Sequence, residues 1–333
     1  HYPDDLGIER YFHWPGQDVI WDDIGPDNRA LSGAQSTQAK VAASAKAHGE
    51  RDRNANEYMG AYGHGISLEL VKWVSDWLAV RGCDLMIPHA FFYSIRGPRI
   101  DECPPQLGPH GDDWDRFKPY ADYCRRLCWL NGVGKPVIRT AVLSLSDHCP
   151  IDVAAALFRG QLDFHYLEAR YLSEDAGVDD DGVHLAGFDY QAVVIDGVAP
   201  PAEARAGVAR LAGAGRLVAW RPADTAAVAP GAIVCDEAET LAATLHHLGC
   251  GDVRCDPPAP GLRARHLEMD GGEHWYMLFN ETDTPIETSL TLPVNGQHFA
   301  IDPTAGEQRA VDAESPLQLA PLELALRRMV TMG

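Results

Sequence analysis

Leu68, Val71, Val74, Trp77 and Leu78 recur at i, i+3 and i+4 spacing within SLELVKWVSDWLAVRG, the period of a helix that buries one face. Ser67 offers a side-chain acceptor at its start and Gly82 can turn left-handed at its end. The pattern therefore predicts a capped amphipathic helix over 67–82. The next residues, CDLMIPHAFFYS at 83–94, form a nearly continuous apolar run, which predicts a strand buried on both faces in a parallel sheet. Upstream, the polar-aromatic segment YFHWPGQDVIWDDI at 11–24 reads as a loop feeding a helix of small residues over 38–48. Between that helix and Ser67, RNANEYMGAYGHG is broken by Gly60, Gly63 and Gly65. A proline-rich loop over 96–119 precedes the helix YADYCRRLCWL. Loops of that length in compact domains are usually lids or rims where ligands are met.

Past residue 136 the grammar changes. Strands at 138–145, 192–196, 217–220 and 233–236 alternate with helices near 152–160, 201–213 and 238–248, the order of a doubly wound α/β domain. Beyond Pro257, Pro258 and Pro260 only short alternating runs remain: HWYMLFN, IETSLTLPV and LQLAPLELALRRM, separated by the turn-rich ETDTP and DPTAGEQ. They predict antiparallel strands in a small β-sandwich. The expected units are 1–136, 137–258 and 259–333, a modular division that suits 333 residues.

Composition narrows the function. With 46% hydrophobic and 23% charged residues the chain has a packed interior, and its formal net charge of −20 repels phosphate backbones and anionic membranes. No nucleic-acid or membrane partner is expected on that ground. The charge suits a neutral ligand such as a sugar, and serves solubility equally well. No apolar run is long enough to cross a bilayer and no secretory pattern opens the chain. It begins at His1 on what reads as mature domain sequence, so an export signal in an upstream region stays open. The eight cysteines form no CxxC pair and no zinc-finger spacing. Cys83 and Cys128 sit among apolar or aromatic neighbours and read as small core residues, so the expected compartment is the reducing cytoplasm. The acidic stretch 175–181 lacks the EF-hand pattern and reads as a solvated loop. GxGxxG, Walker and GxSxG motifs are all missing from the middle region, so no cofactor and no metal are expected.

Several long motifs carry a resemblance: EYMGAYG at 57–63, KWVSDWLAVRG at 72–82, PHAFFYSIRGPRIDECPP at 88–105 and DYCRRLCWLN at 122–131, then more faintly FHYLEARYL at 164–172 and NETDTPIE at 280–287. Together they resemble bacterial multidomain glycoside hydrolases of the broad group containing family 106 α-L-rhamnosidases and β-galactosidase-like enzymes. The resemblance implies an α/β fold class. The chain would begin partway through a (β/α)8 barrel, continue into a doubly wound glutamine-amidotransferase-like domain that helps form homo-oligomers, and end in the sandwich. It also implies a carbohydrate substrate and several hundred further residues upstream. An isolated part of a barrel exposes sheet edges and apolar surface, so the expected partner is the missing upstream barrel segment or another chain.

Glycoside hydrolysis normally uses two carboxyl groups flanking the scissile bond. On the resemblance, Glu57 falls at the carboxyl end of a barrel strand, where barrel enzymes place catalytic groups. Against this stands a solvated or capping carboxylate. Asp101 is the second candidate, with structural ion pairing to Arg99 as its alternative; Arg99 otherwise holds substrate, and Arg96 and Glu102 share its loop. His89, Phe91 and Tyr93 would lie on one face of the strand, so His89 and Tyr93 are candidate sugar contacts unless His89 is a satisfied core residue. His13, Trp14 and Asp18 in YFHWPGQD have the look of a sugar subsite with Trp14 as the stacking surface, or else pack a loop corner. Lys40 and His48 are placed at the same mouth. A non-catalytic carbohydrate-binding or oligomerisation fragment competes with the enzyme reading, because the second carboxylate belongs to either this chain or the upstream region. An amidotransferase is disfavoured, since Cys149 is followed by Pro150 and no cysteine of the middle region sits in a GxCxG turn.

Overall fold

The computed structural model describes residues 5–33, 35–101, 105–145, 148–174, 176–222 and 228–331 of a mixed α/β chain. Its first region carries α1 (Asp5–Glu9), α2 (Arg29–Ser32), α3 (Gln38–His48), α4 (Leu68–Val80) and α5 (Trp114–Val133) around three strands, β1 (Asp18–Val19), β2 (Ala55–Tyr58) and β3 (Leu85–Pro88). These strands form a parallel sheet in the order β1-β2-β3. Helix α4 follows its sequence signals closely. The amide of Leu70 donates to Ser67 Oγ at 3.2 Å, and Gly82 takes φ +102° just past the end. Trp73, Ser75 and Asp76 are buried too, outside the apolar face read from the sequence. The reason is a second layer, for the Trp73 indole packs on Phe279 and donates to the carbonyl of Glu281 at 3.3 Å.

Two readings of this region are corrected. The apolar run 83–94 is not one strand buried on both faces: β3 ends at Pro88, and Ile87 is 47% exposed. After His89 the backbone leaves the sheet to pair with another segment, the amide of Ala90 donating to Pro105 O at 3.3 Å and that of Leu107 to Ala90 O at 3.0 Å. A strand's alternation therefore does not extend to Phe91 and Tyr93. The loop 96–119 is also shorter than its composition suggests. It holds a 3-10 turn over Gly97–Asp101, and α5 starts at Trp114, before Pro119. That proline removes one helical amide without ending the helix.

After β4 (Lys135–Pro136) come β5 (Thr140–Ser144), α6 (Ile151–Arg159), β6 (His165–Glu168), α7 (Tyr171–Glu174), a small antiparallel sheet of β7 (Gly177–Val178), β8 (Val183–Leu185) and β9 (Phe188–Tyr190), then β10 (Ala192–Asp196), α8 (Arg205–Gly213), β11 (Leu217–Trp220), β12 (Ile233–Cys235) and α9 (Ala238–His247). Strands β12-β11-β10-β5-β6 form a wholly parallel sheet. Leu157, Leu241 and Leu245 of α6 and α9 pack into one core and Val208 and Leu211 of α8 into another, so helices cover both faces. The last region is antiparallel: β13 (Arg254–Asp256), β14 (Leu262–Glu268), β15 (Glu273–Asn280), β16 (Ile286–Thr291), β17 (Gln297–Ile301), β18 (Gln308–Val311), β19 (Leu317–Leu319) and β20 (Leu324–Val330). They form a six-stranded sheet, β18-β17-β20-β15-β14-β4, and a three-stranded one, β13-β16-β19.

The three regions share their interiors. Met277, Phe279, Leu324 and Leu326 of the antiparallel sheet belong to the same core as Val74, Trp77 and Leu127, while Leu6, Val41 and Ala45 pack against the five-stranded sheet. Lys40 and His48, expected at the groove mouth, are buried at this second junction. Lys40 Nζ pairs with Asp163 Oδ1 at 2.6 Å, and His48 Nε2 bonds the Tyr190 hydroxyl at 2.7 Å. Alanine-rich α3 presents small residues to both neighbours, so even its polar positions are enclosed. Arg265 completes the junction by meeting Asp163 Oδ2 at 2.9 Å. Among the described residues, Cys83, Cys124, Cys128, Cys235, Cys250 and Cys255 form no disulfide. Among the described residues no helix is long and apolar enough to cross a membrane.

Candidate active-site groove

The segment before β2 that read as a loop is zipped onto β2 along its length. Ala55 N donates to Pro15 O at 2.9 Å, Glu57 N to Gln17 O at 3.0 Å, Met59 N to Val19 O at 3.1 Å and Trp21 N to Gly60 O at 2.9 Å. Gly16 is required for this approach, since a Cβ there would lie 1.7 Å from Ala55 O. Glu9 holds the segment from the other side, accepting from Gly16 N at 2.8 Å and Gln17 Nε2 at 2.7 Å.

Side chains of a strand alternate between faces, and the register here is unambiguous. Val19 and Tyr58 point to the α4 side and are buried. Asp18, Glu57 and Ile87, which are register partners across β1, β2 and β3, share the opposite face. That face opens into a groove of about 570 Å³ whose walls include Phe12, Trp14, Gln17, Trp21, Asp18, Glu57 and Ile87. Phe12, Trp14 and Trp21 are 50%, 58% and 63% exposed, an arrangement of apolar rings around two carboxylates. Among the described residues neither the Asp18 nor the Glu57 carboxylate takes a hydrogen bond or an ion pair to a cationic group.

The groove walls partly shield the Asp18 carboxyl. That desolvation, reinforced by the negative charge of Glu57 and opposed by the nearby His89, pushes its pKa up to about 6. His89 is anchored through its backbone, which donates to Tyr58 O at 2.8 Å, and its ring meets Phe92 edge-on at 5.7 Å. Its Nδ1 is buried without a hydrogen-bond partner among the described residues.

The residues singled out from sequence thus divide. Glu57 and Trp14 line one groove, and His89 stands within electrostatic reach of it through Asp18. His13 is exposed beside Trp14 without being a groove wall. Tyr93 is 96% exposed, and its carbonyl accepts from His110 Nε2 at 3.2 Å. Its neighbour Phe91 packs instead on Trp114 and Phe117. Asp101 is exposed at the end of the 3-10 turn and is not a wall of the groove that holds Glu57. The Arg99 side chain and all of Glu102 lie outside the described residues. Asp18 was singled out only as part of a sugar subsite; a strand of two residues gives no periodic signal, so its register beside Glu57 was not legible. Phe12 and Trp21 were missed as groove walls for the same reason.

No protein-family model matches the chain, and no curated protein matches it. Solved structures do. A rhamnosidase from Novosphingobium sp. PP1Y superposes with a TM-score of 0.73 at 14% identity, over 99% of this chain and 36% of that one. A catalytic mutant of a GH42 β-galactosidase from G. stearothermophilus gives 0.64 at 8% identity, over 98% of this chain and 61% of that one. A β-galactosidase from Rahnella sp. R3 gives 0.63 at 10%, over 98% and 62%. The chain therefore has a glycoside-hydrolase-like fold, and it spans between about a third and three fifths of the length of these structures.

Proposed function

We propose that the chain is the carboxy-terminal part of a glycoside hydrolase of the kind that family 106 α-L-rhamnosidases and β-galactosidase-like enzymes represent, and that its groove binds carbohydrate. In this reading β1–β3 are the last strands of a (β/α)8 barrel, the parallel five-stranded region is a separate module joined near 136, and a β-sandwich follows from about 258. The barrel's remaining strands come from an upstream segment or a partner chain. The observation that carries the reading is Glu57, a carboxylate without a donor partner among the described residues, at the carboxyl end of a parallel strand in a groove walled by Trp14 and Trp21. Barrel enzymes build their sites at that end of the strands. Exposed aromatic faces suit the C–H faces of a sugar ring, and a carboxylate accepts from its hydroxyls or acts in acid, base or nucleophilic roles.

A second reading is favoured by the 36% coverage of the rhamnosidase: this chain holds one side of a site and binds sugar without completing the chemistry. Both readings require sugar in the groove. Amide and indole chemical shifts of the labelled protein, followed while L-rhamnose or D-galactose is added, test this. The expected result is weak binding, on the order of millimolar, that moves the Trp14, Trp21 and Glu57 signals and disappears in Trp14→Ala. Shifts confined to another surface, or unaltered by that substitution, would reject the groove.

A further inference from the structure

We propose that Asp18 and Glu57 work as a carboxyl pair holding one proton between them, so that the groove offers a neutral polyhydroxylated ligand one acid donor and one carboxylate acceptor. The inference rests on the groove being a sugar site and deepens it by assigning a role to Asp18. Its basis is positional. The two residues are direct register partners on adjacent parallel strands, and strands so paired stand about 4.8 Å apart. Both side chains rise from the same face into the same groove. No donor from the described residues neutralises either of them. Two carboxylates this close, in a partly shielded place, cannot both be charged without cost, so one keeps its proton longer.

The surroundings decide which one. Four elements contribute titratable groups to this corner: Glu9 of α1, Asp18 of β1, Glu57 of β2 and His89 directly after β3. Glu9 is already occupied by Gly16 N and Gln17 Nε2. Asp18 has the shorter side chain, held closer to the sheet, and it feels both the shielding and the charge of Glu57, which together raise its pKa to about 6, against the opposing influence of His89. In mildly acidic solution Asp18 keeps its proton and is the donor of the pair. Above that range Asp18 is charged, and a neutral sugar loses its donor.

Two measurements test this, and they fail independently of each other. Carboxyl-carbon NMR of the full chain reads the pair whether or not sugar binds. Asp18 is expected to titrate near pH 6, to move lower in Glu57→Gln, and to move higher in His89→Ala; titration of Asp18 in the ordinary carboxylate range, or indifference to Glu57→Gln, overturns the pair. Binding of L-rhamnose and D-galactose is then followed from pH 5 to 7. The wild-type affinity is expected to fall about tenfold over that interval, as expected for a donor that loses its proton near pH 6. Asp18→Asn, whose amide donates at every pH, should keep the acidic-pH affinity without the fall, whereas Asp18→Ala should be weak throughout. A wild-type affinity that is flat with pH, or a fall retained in Asp18→Asn, overturns the donor role. Absence of sugar binding at every pH combined with a normal pair titration would sink the sugar-site reading and the donor role with it, but leave the shared proton standing.

Discussion

Glu57 stood out in the sequence as a candidate because its place before a glycine-rich turn and its motif both pointed there, and it lines the groove. The place of Asp18 beside Glu57 was not legible, because it follows from register, and register depends on which strands pair. The charged residues least legible in the sequence are those buried at the junctions. Arg81, in the last turn of the α4 motif, looks like a solvated helix end. It is fully enclosed instead, with Nη2 at 2.7 Å from Glu281 Oε1, while Arg263 Nε meets Glu281 Oε2 at 2.7 Å. Burial alone would raise the Glu281 pKa, but the two guanidinium groups outweigh it and hold the carboxyl below its usual range. A carboxyl depressed in the folded state stabilises it above the unfolded value, near 4.3, and that stability is lost as pH falls through the folded value. Arg81→Met should therefore cost about 3–5 kcal/mol at pH 7, the usual consequence of removing one partner of a buried ion pair. The difference from wild type should shrink as pH drops below 4. Urea unfolding across that range measures it; a loss under about 1 kcal/mol at pH 7 would mean the pair contributes little.

Among elements, the long periodic ones were legible and the short paired ones were not. Helix α4 was read with its cap and its stop, and the strands at 192–196 and 217–220 fall where the apolar runs placed them. Strands β1, β6 and β7–β9 were missed, since two to four residues cannot establish a period and their pairing partners are distant in sequence. The extent of β3 was misjudged because an apolar run does not reveal where the backbone leaves a sheet. The pairing of β1 with β2 hinges on Gly16, and a side chain there collides with the Ala55 carbonyl at 1.7 Å. Gly16→Val should unzip this edge while α4 and the antiparallel sheet stay folded. Hydrogen exchange at the Glu57 and Met59 amides, which donate to Gln17 and Val19, should then accelerate by at least tenfold, with sugar binding lost in parallel. Unchanged protection of both amides would show that β1 is held by something other than this close approach.

At the scale of the whole molecule, the change of grammar from helix-strand alternation to strand alternation was legible, but the way the regions lock together was not. Apolar pattern identifies which residues are buried and not what buries them. One core runs from β1–β3 and α4 into the antiparallel sheet, and Asp163 bridges Lys40 of α3 to Arg265 of β14. The open face of β1–β3 is thus carried on a rigid base, with Glu57 presented to the groove. The proposed place of this carboxylate in a glycosidase site is tested by hydrolysis of a panel of nitrophenyl glycosides, including α-L-rhamnoside and β-D-galactoside, by the chain and by its Glu57→Gln variant. If part of the acid–base machinery lies upstream, turnover should fall below that of a complete enzyme by the factor of about 10²–10⁴ that positioned proton transfer supplies. This weak turnover is expected from the unaltered chain and none from the variant; robust turnover that survives Glu57→Gln would rule out a catalytic Glu57.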